Sequence, residues 1–121
     1  MALVKPDTAV GELIIFDATG CDATLLRDLA AMQLLFNNLI DAYRATLIQT
    51  EFSQFPDTGG LTIIAILSAS SATLHTWPEL NYLAVDIFRC NVLTPTFAGE
   101  RLIEAALPGC KVRMTTMKRP I

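Results

Sequence analysis

This chain has few groups that titrate near neutral pH or ligate metals. Among its 121 residues there is one His, one Trp and three Cys. The cysteines stand at 21, 90 and 110 with no CxxC spacing, so with one imidazole a zinc site of the usual kind lacks ligands, and no metal is expected. No GxGxxG or P-loop pattern occurs, so no phosphate-cradling loop is indicated. Ser70, His75 and a carboxylate could be drawn as a triad, but the GxSxG elbow that would expose the serine is missing. Charged residues make up only 17 % with a net charge of −3. The only basic cluster is the terminal Lys118-Arg119, which disfavours nucleic-acid binding. No apolar run reaches ~18 residues, so no membrane-spanning helix is expected. Lys5 and Asp7 precede only a short apolar strand, unlike a signal peptide. An odd cysteine count without a secretion signal points to reduced thiols and a cytoplasmic location.

Apolar residues are abundant, at 52 %. A chain of this length makes one domain with a real core, and no linker or repeat divides residues 1–121. So much apolar surface in so small a domain implies burial against a second subunit, and the expected assembly is a homodimer.

Residues 12–16 read as a short apolar strand. Asp22 is a plausible N-cap for the best helix in the sequence. Leu25, Leu29, Met32, Phe36, Leu39, Ile40 and Tyr43 recur at three- and four-residue steps and share one face of it. Residues 46–52 form a second strand, and Phe55-Pro56-Asp57-Thr58-Gly59-Gly60 is a turn by composition. The run 61–67 is apolar without alternation, which predicts a strand covered on both faces. In 71–77, Ala72, Leu74 and Thr76 alternate with Thr73, His75 and Trp77. Pro78 ends that strand, and 82–88 form the next. Thr94-Pro95 caps a second helix running to about Ala106, Gly109 stops it, and 110–116 close the order as a strand. Two helices over an antiparallel-rich sheet make an α+β two-layer sandwich, with the helices on one face.

The chemistry concentrates around Leu74-His75-Thr76-Trp77-Pro78-Glu79. Ser70 lies five residues before the His and Cys90 fifteen after it. A hydroxyl, an imidazole and a thiol together can move protons at neutral pH. The plainer possibilities are a hydrogen-bonded structural His, a Cys that only packs, and a Trp-Pro-Glu strand end.

The run Ser70-Ser71-Ala72-Thr73-Leu74-His75-Thr76-Trp77-Pro78-Glu79, followed by Tyr82, Ala84-Val85-Asp86 and Phe88-Arg89-Cys90, resembles the heart of the small prokaryotic S-adenosylmethionine decarboxylase proenzymes. Gly20-Cys21-Asp22 also opens the first helix as in that family, and the similarity runs from about Gly11 to the C-terminus. The resemblance implies a pyruvoyl cofactor made from the chain itself. Ser70 attacks the preceding carbonyl, an ester forms, and elimination cuts the chain between Ala69 and Ser70. The dehydroalanine left behind hydrolyses to an N-terminal pyruvoyl group, which serves as an electron sink through a Schiff base with the substrate amine. His75 matches the residue that assists elimination. Cys90 matches the acid that reprotonates the decarboxylated carbon. Thr62 falls where the family has a processing serine, and Phe55 near an aromatic that contacts substrate. The implied activity is a carboxy-lyase step on S-adenosylmethionine for spermidine and other polyamine biosynthesis. The implied assembly is two protomers stacked sheet to sheet, a four-layer αββα sandwich.

The chain departs from the family pattern at three places. Ala69 replaces a Glu at the cleavage site, Ser71 replaces a His, and Glu12-Leu13 replace a basic residue and a His. Losing the carboxylate at 69 implies slow or absent self-cleavage, so the chain reads as the proenzyme or a slowly processing form. The alternatives are a pyruvoyl-dependent decarboxylase of another amino acid, such as ornithine or arginine, or a non-processing relative with a binding or regulatory role.

Overall fold

A computed structural model describes residues 9–90 and 98–120. Six strands form one antiparallel sheet in the order β2-β3-β4-β5-β1-β6. They are β1 (Ala9–Thr19), β2 (Leu47–Gln54), β3 (Leu61–Leu67), β4 (Ser70–Trp77), β5 (Tyr82–Arg89) and β6 (Lys111–Pro120). Helices α1 (Ala23–Leu26), α2 (Leu29–Ala42) and α3 (Ala98–Ala106) complete the described elements, with a 3-10 turn at Pro78–Leu80. The result is the expected α+β class.

The period-two alternation of the strands decides which side faces the helices. Ile14, Phe16 and Ala18 of β1, Leu61, Ile63 and Ala65 of β3, Ala72 and Leu74 of β4, and Leu83, Val85 and Ile87 of β5 are buried there. Met32, Phe36, Leu39, Ile40 and Tyr43 of the helical stripe, with Leu35 beside them, complete that core. Helix α3 comes down closely on it. A Cβ at Gly99 would collide with the ring of Phe16 and the hydroxyl of Tyr43, so only glycine fits.

The long first helix expected from Asp22 is instead two helices. The Asp22 carboxylate accepts from the Thr24 and Leu25 N–H groups and caps a single turn. Arg27 closes that turn, and the Asp28 carboxylate accepts from the Ala31 N–H to start α2 afresh. Two capping carboxylates six residues apart compete, and each satisfies its own orphan donors. The described helices are therefore three rather than two. The expected cap at Thr94-Pro95 lies outside the described residues.

Strand β3 is covered by this chain on one side only, and the other is the side that the expected second subunit would cover. Its helix side is buried, but Ile64 and Ile66 on the other side are 49 % and 53 % exposed. Their isoleucine-rich run lacks alternation because both sides are apolar, yet one chain covers only one of them. Met117 and Trp77 also stand exposed, so apolar side chains are spread over this open face.

Candidate active site

The residues singled out by sequence fall into two groups at opposite ends of β4. The first group gathers at the hairpin joining β3 to β4. Leu67 pairs with Ser70, leaving Ser68 and Ala69 as the turn. Ala69 takes φ +59°, the left-handed region that an L side chain adopts at a cost. Ser70 follows as the first residue of β4. Cys90 stands just past the end of β5, exposed, and its thiol donates to the Ala69 carbonyl oxygen at 2.6 Å. Thus Ala69, Ser70 and Cys90 meet, and the thiol touches the one carbonyl that a Ser70 hydroxyl would attack.

The second group lies at the Trp77 end. Thr62 and His75 are register partners on β3 and β4, and Thr62 Oγ1 lies 3.2 Å from His75 Nδ1. His75 and Trp77 share the open face, with ring centroids 5.8 Å apart. Trp77 stacks in turn on Tyr82 at 5.3 Å. The Tyr82 hydroxyl donates to the Asp17 carboxylate. That bond, more than burial, holds the phenol above its ordinary range, because ionising it would set two negative charges side by side. Asp17 also faces Arg113 at 3.7 Å. A cavity of about 240 Å³ opens beside this row, with Phe55, Thr62, His75, Trp77 and Glu79 in its walls. His75 is therefore neither free nor merely packed: one nitrogen is held by a hydroxyl, and the ring edges a cavity.

Within one chain these two groups do not meet. Five residues of strand separate Ser70 from His75, about 16–17 Å at the rise of an extended chain. The constellation suggested by composition is thus split into a nucleophile–thiol pair and a hydroxyl–imidazole pair.

Glu12, one of the departures from the family pattern, has a structural partner. Its carboxylate accepts from Arg89 Nη2 at 3.0 Å, both residues being buried under the helices. The Arg89 guanidinium also lies over the Tyr43 ring, 5.4 Å from its centroid. Its Nε and Nη1 have no hydrogen-bond partner among the described residues. Sequence reading missed this pair because the two residues are far apart in the chain and join only across β1 and β5. It also missed Trp77 as part of the cavity wall, although its spacing of two from His75 already placed them on one face. Among the described residues no cluster of three metal-ligating side chains occurs, and no helix is long and apolar enough to cross a membrane.

Residues 12–120 match the family described as S-adenosylmethionine decarboxylase. An S-adenosylmethionine decarboxylase proenzyme of Thermodesulfovibrio yellowstonii is 34 % identical over 118 residues, covering 93 % of this chain and 83 % of its own. The proenzyme of Caldanaerobacter subterraneus is 30 % identical over 113 residues, covering 93 % of this chain and 90 % of its own. The crystal structure of the adenosylmethionine decarboxylase from Aquifex aeolicus shares the fold, with a TM-score of 0.79 at 23 % identity over 94 % of this chain and 93 % of that one.

Proposed function

This chain belongs to the S-adenosylmethionine decarboxylase family, and on that premise we propose that it is the proenzyme of a pyruvoyl-dependent decarboxylase of S-adenosylmethionine, serving polyamine synthesis. The observation that carries the reading is the Cys90 thiol on the Ala69 carbonyl oxygen, one peptide before Ser70.

That geometry supports self-cleavage by the following route. The Ser70 hydroxyl adds to the Ala69 carbonyl carbon, and negative charge develops on the oxygen that Cys90 already contacts. A donor placed before charge develops stabilises the transition state without reorganisation. The C–N bond of the 69–70 peptide then breaks and an ester remains. Removal of the residue 70 Cα proton expels the Ala69 carboxylate and leaves dehydroalanine. Water replaces the nitrogen, ammonia departs, and a ketone caps the new N-terminus. The residues present fit such a group: a serine at a strand start, a left-handed residue before it, and a proton-bearing thiol alongside. The pyruvoyl carbonyl supplies the sink for electrons released with carbon dioxide. Cys90, beside the new N-terminus, then returns a proton to the substrate carbon.

The elimination needs a base, and His75 of the same chain lies about 16–17 Å away along β4. A second copy stacked on the open face, with its strands running the other way, lays its Trp77 end over this chain's Ser70 end. The partner's His75 and the partner's Thr62 then complete the site. The exposed Ile64, Ile66, Trp77 and Met117 support the same stacking, since burying them removes apolar surface from water. The working unit is accordingly a homodimer. In the cavity, Phe55 and Trp77 offer aromatic faces to an adenine and a sulfonium.

Intact-mass analysis of the expressed protein, together with release of carbon dioxide from carboxyl-labelled S-adenosylmethionine, tests the reading. Fragments 1–69 and 70–121, the second beginning with pyruvoyl, are expected. Decarboxylation by a Ser70→Ala variant would refute it, since no pyruvoyl can then form. Subunit sharing has its own test. Ser70→Ala and His75→Ala chains, each unable to cleave alone, are expected to yield cleaved His75→Ala chains when co-assembled. Persistent failure of the mixture would show that the site is not shared. A chain that never cleaves, even as Ala69→Glu, would belong to the binding or regulatory alternative.

A further inference from the structure

We infer that Arg27 and Gln54, neither of which lines the cavity, act as a latch that holds the Phe55–Gly60 turn against it and so sets the affinity for the adenosyl part of the substrate. The inference rests on the function proposed above and extends it to two positioning residues outside the site.

The cavity has one wall that is fixed by packing and one that is not. Trp77 is stacked on Tyr82, and Tyr82 is held by Asp17. The opposite wall is the turn bearing Phe55 and Thr58. Its side chains from Phe55 to Asp57 are exposed, so apolar packing does not hold it. Its own backbone closes it locally, with the Phe55 N–H donating to the Gly60 carbonyl at 2.7 Å and the Gly59 N–H to the Phe55 carbonyl at 2.8 Å.

What ties this turn to the body of the protein is the end of α1. Arg27 Nε donates to the Thr58 carbonyl at 2.8 Å. Gln54 Nε2 donates to the Arg27 carbonyl at 2.9 Å and to the Gly59 carbonyl at 3.1 Å. A carboxamide nitrogen has two protons, and both are used. The Arg27 side chain also lies flat on Gly59, where a Cβ would come within 2.9 Å of its Cγ and where φ is +78°. Thr76, next to His75, joins the same assembly. Its buried hydroxyl donates to the Leu26 carbonyl and accepts from the Leu61 N–H, both at 2.9 Å. The end of α1 is thus bonded both to the turn and to the strand that carries His75.

A wall held this way is ordered before the ligand arrives. Releasing it makes binding bear the cost of ordering it, which weakens affinity while the reacting groups stay where they are. Gln54→Glu is the sharpest probe, because it keeps the shape and turns a donor toward two carbonyls into an acceptor. Arg27→Ala removes the second tie at an exposed position, and Arg27→Lys restores a donor.

Trp77, the only tryptophan, reports binding by its fluorescence. The ligand is methylthioadenosine, an adenosyl thioether with no carboxylate to lose. Its dissociation constant is expected to rise about tenfold in Gln54→Glu and Arg27→Ala and to recover in part in Arg27→Lys. In the processed enzyme, KM for S-adenosylmethionine is expected to rise in step, with kcat per pyruvoyl site within about twofold of wild type. Unchanged dissociation constants in both disrupting variants, with far-ultraviolet circular dichroism like wild type, would overturn the latch. A loss confined to kcat would also overturn it. If the wild type binds but neither it nor Ala69→Glu decarboxylates, the proposed function fails, and the fluorescence titration still decides the latch.

Discussion

The Cys90 thiol sits 2.6 Å from the carbonyl oxygen of Ala69, whose carbon is bonded to the Ser70 nitrogen. In the proposed function, one side chain would address both the peptide to be cut and the position of the new N-terminus. The contact motivates a proposed part for Cys90 in self-cleavage that the family resemblance alone did not suggest.

Replacing that thiol tests both roles. Cys90→Ala is expected to slow chain cleavage by about 100- to 1,000-fold, the range for losing one donor to a developing oxyanion. Cys90→Ser keeps a donor and should cleave within several-fold of wild type. Processed Cys90→Ala enzyme should also lose activity progressively, as misdirected protonation passes the substrate amine to the pyruvoyl group. Time-resolved mass spectrometry and progress curves measure the two effects separately. Cleavage at the wild-type rate in Cys90→Ala would remove the thiol from processing.

Ala69 holds a left-handed conformation that costs an L residue about 1–2 kcal/mol and costs glycine nothing. If that strain is released on attack by Ser70, Ala69→Gly should stabilise the fold and slow cleavage by roughly fivefold or more. Ala69→Glu should accelerate cleavage by restoring the carboxylate beside the scissile bond. Denaturation midpoints and cleavage half-lives, taken on the same preparations, check both. Faster cleavage in Ala69→Gly would show that the strain plays no part.

Thr62 is expected to act through His75. Thr62→Val removes the hydroxyl 3.2 Å from Nδ1, leaving the imidazole free to turn and to change tautomer. Ester formation should proceed while elimination slows, so a hydroxylamine-sensitive ester should accumulate. Thr62→Ser should behave as wild type. Absence of any ester in Thr62→Val, with normal cleavage, would reduce the pair to packing.

The Glu12–Arg89 pair is buried, so breaking one partner should cost more than removing both. Glu12→Ala strands a guanidinium under the helices and is expected to cost about 3–5 kcal/mol. Glu12→Leu combined with Arg89→Met should recover much of that loss. Urea denaturation of the three proteins makes the comparison. Because Arg89 precedes Cys90, Glu12→Ala should also slow cleavage.

Stability should fall in alkali through Cys21. Burial first, and then the neighbouring Cys110 thiol, push Cys21 from 9.0 up to about 12. Burial raises Cys110 as well. The unfolded thiol ionises first, so between pH 9 and 12 the unfolded state holds fewer protons and stability drops as pH rises. Below pH 9 the stabilisation is fully present. The Cys21 contribution to the slope is at most about 1.4 kcal/mol per pH unit. Denaturation at about pH 8 and about pH 10.5 should show the loss, and Cys21→Ala should make it shallower.

Strand order along the chain was legible from the short apolar runs of β1 and β5 and from the period-two alternation of β4, where a one-residue slip would turn Leu74 out of the core. The split of the first helix was not. Leu25 and Leu29 fit one stripe on either reading, and the choice between one helix and two rests on how Asp22 and Asp28 each satisfy nearby N–H groups. The apolar run of β3 marked two apolar sides, of which the helices of one chain cover one and leave Ile64 and Ile66 on the other exposed.

For the site, the residue types and spacing of Ser70, His75 and Cys90 marked groups able to move protons at neutral pH, because a hydroxyl, an imidazole and a thiol carry their reactivity with them, while the chemistry expected of them came from the family resemblance. The sequence by itself determined these residue types and grouped Ser70 with His75; the extended course of β4 sets the two apart, since five residues of strand cannot fold back on themselves. Only the tertiary structure decided that Cys90 reaches the Ala69 carbonyl, that Glu12 meets Arg89, and that Arg27 and Gln54 support the turn bearing Phe55. Those contacts join residues distant in sequence, and their distances depend on strand register and on how the hairpin and the end of α1 pack, which no local pattern encodes.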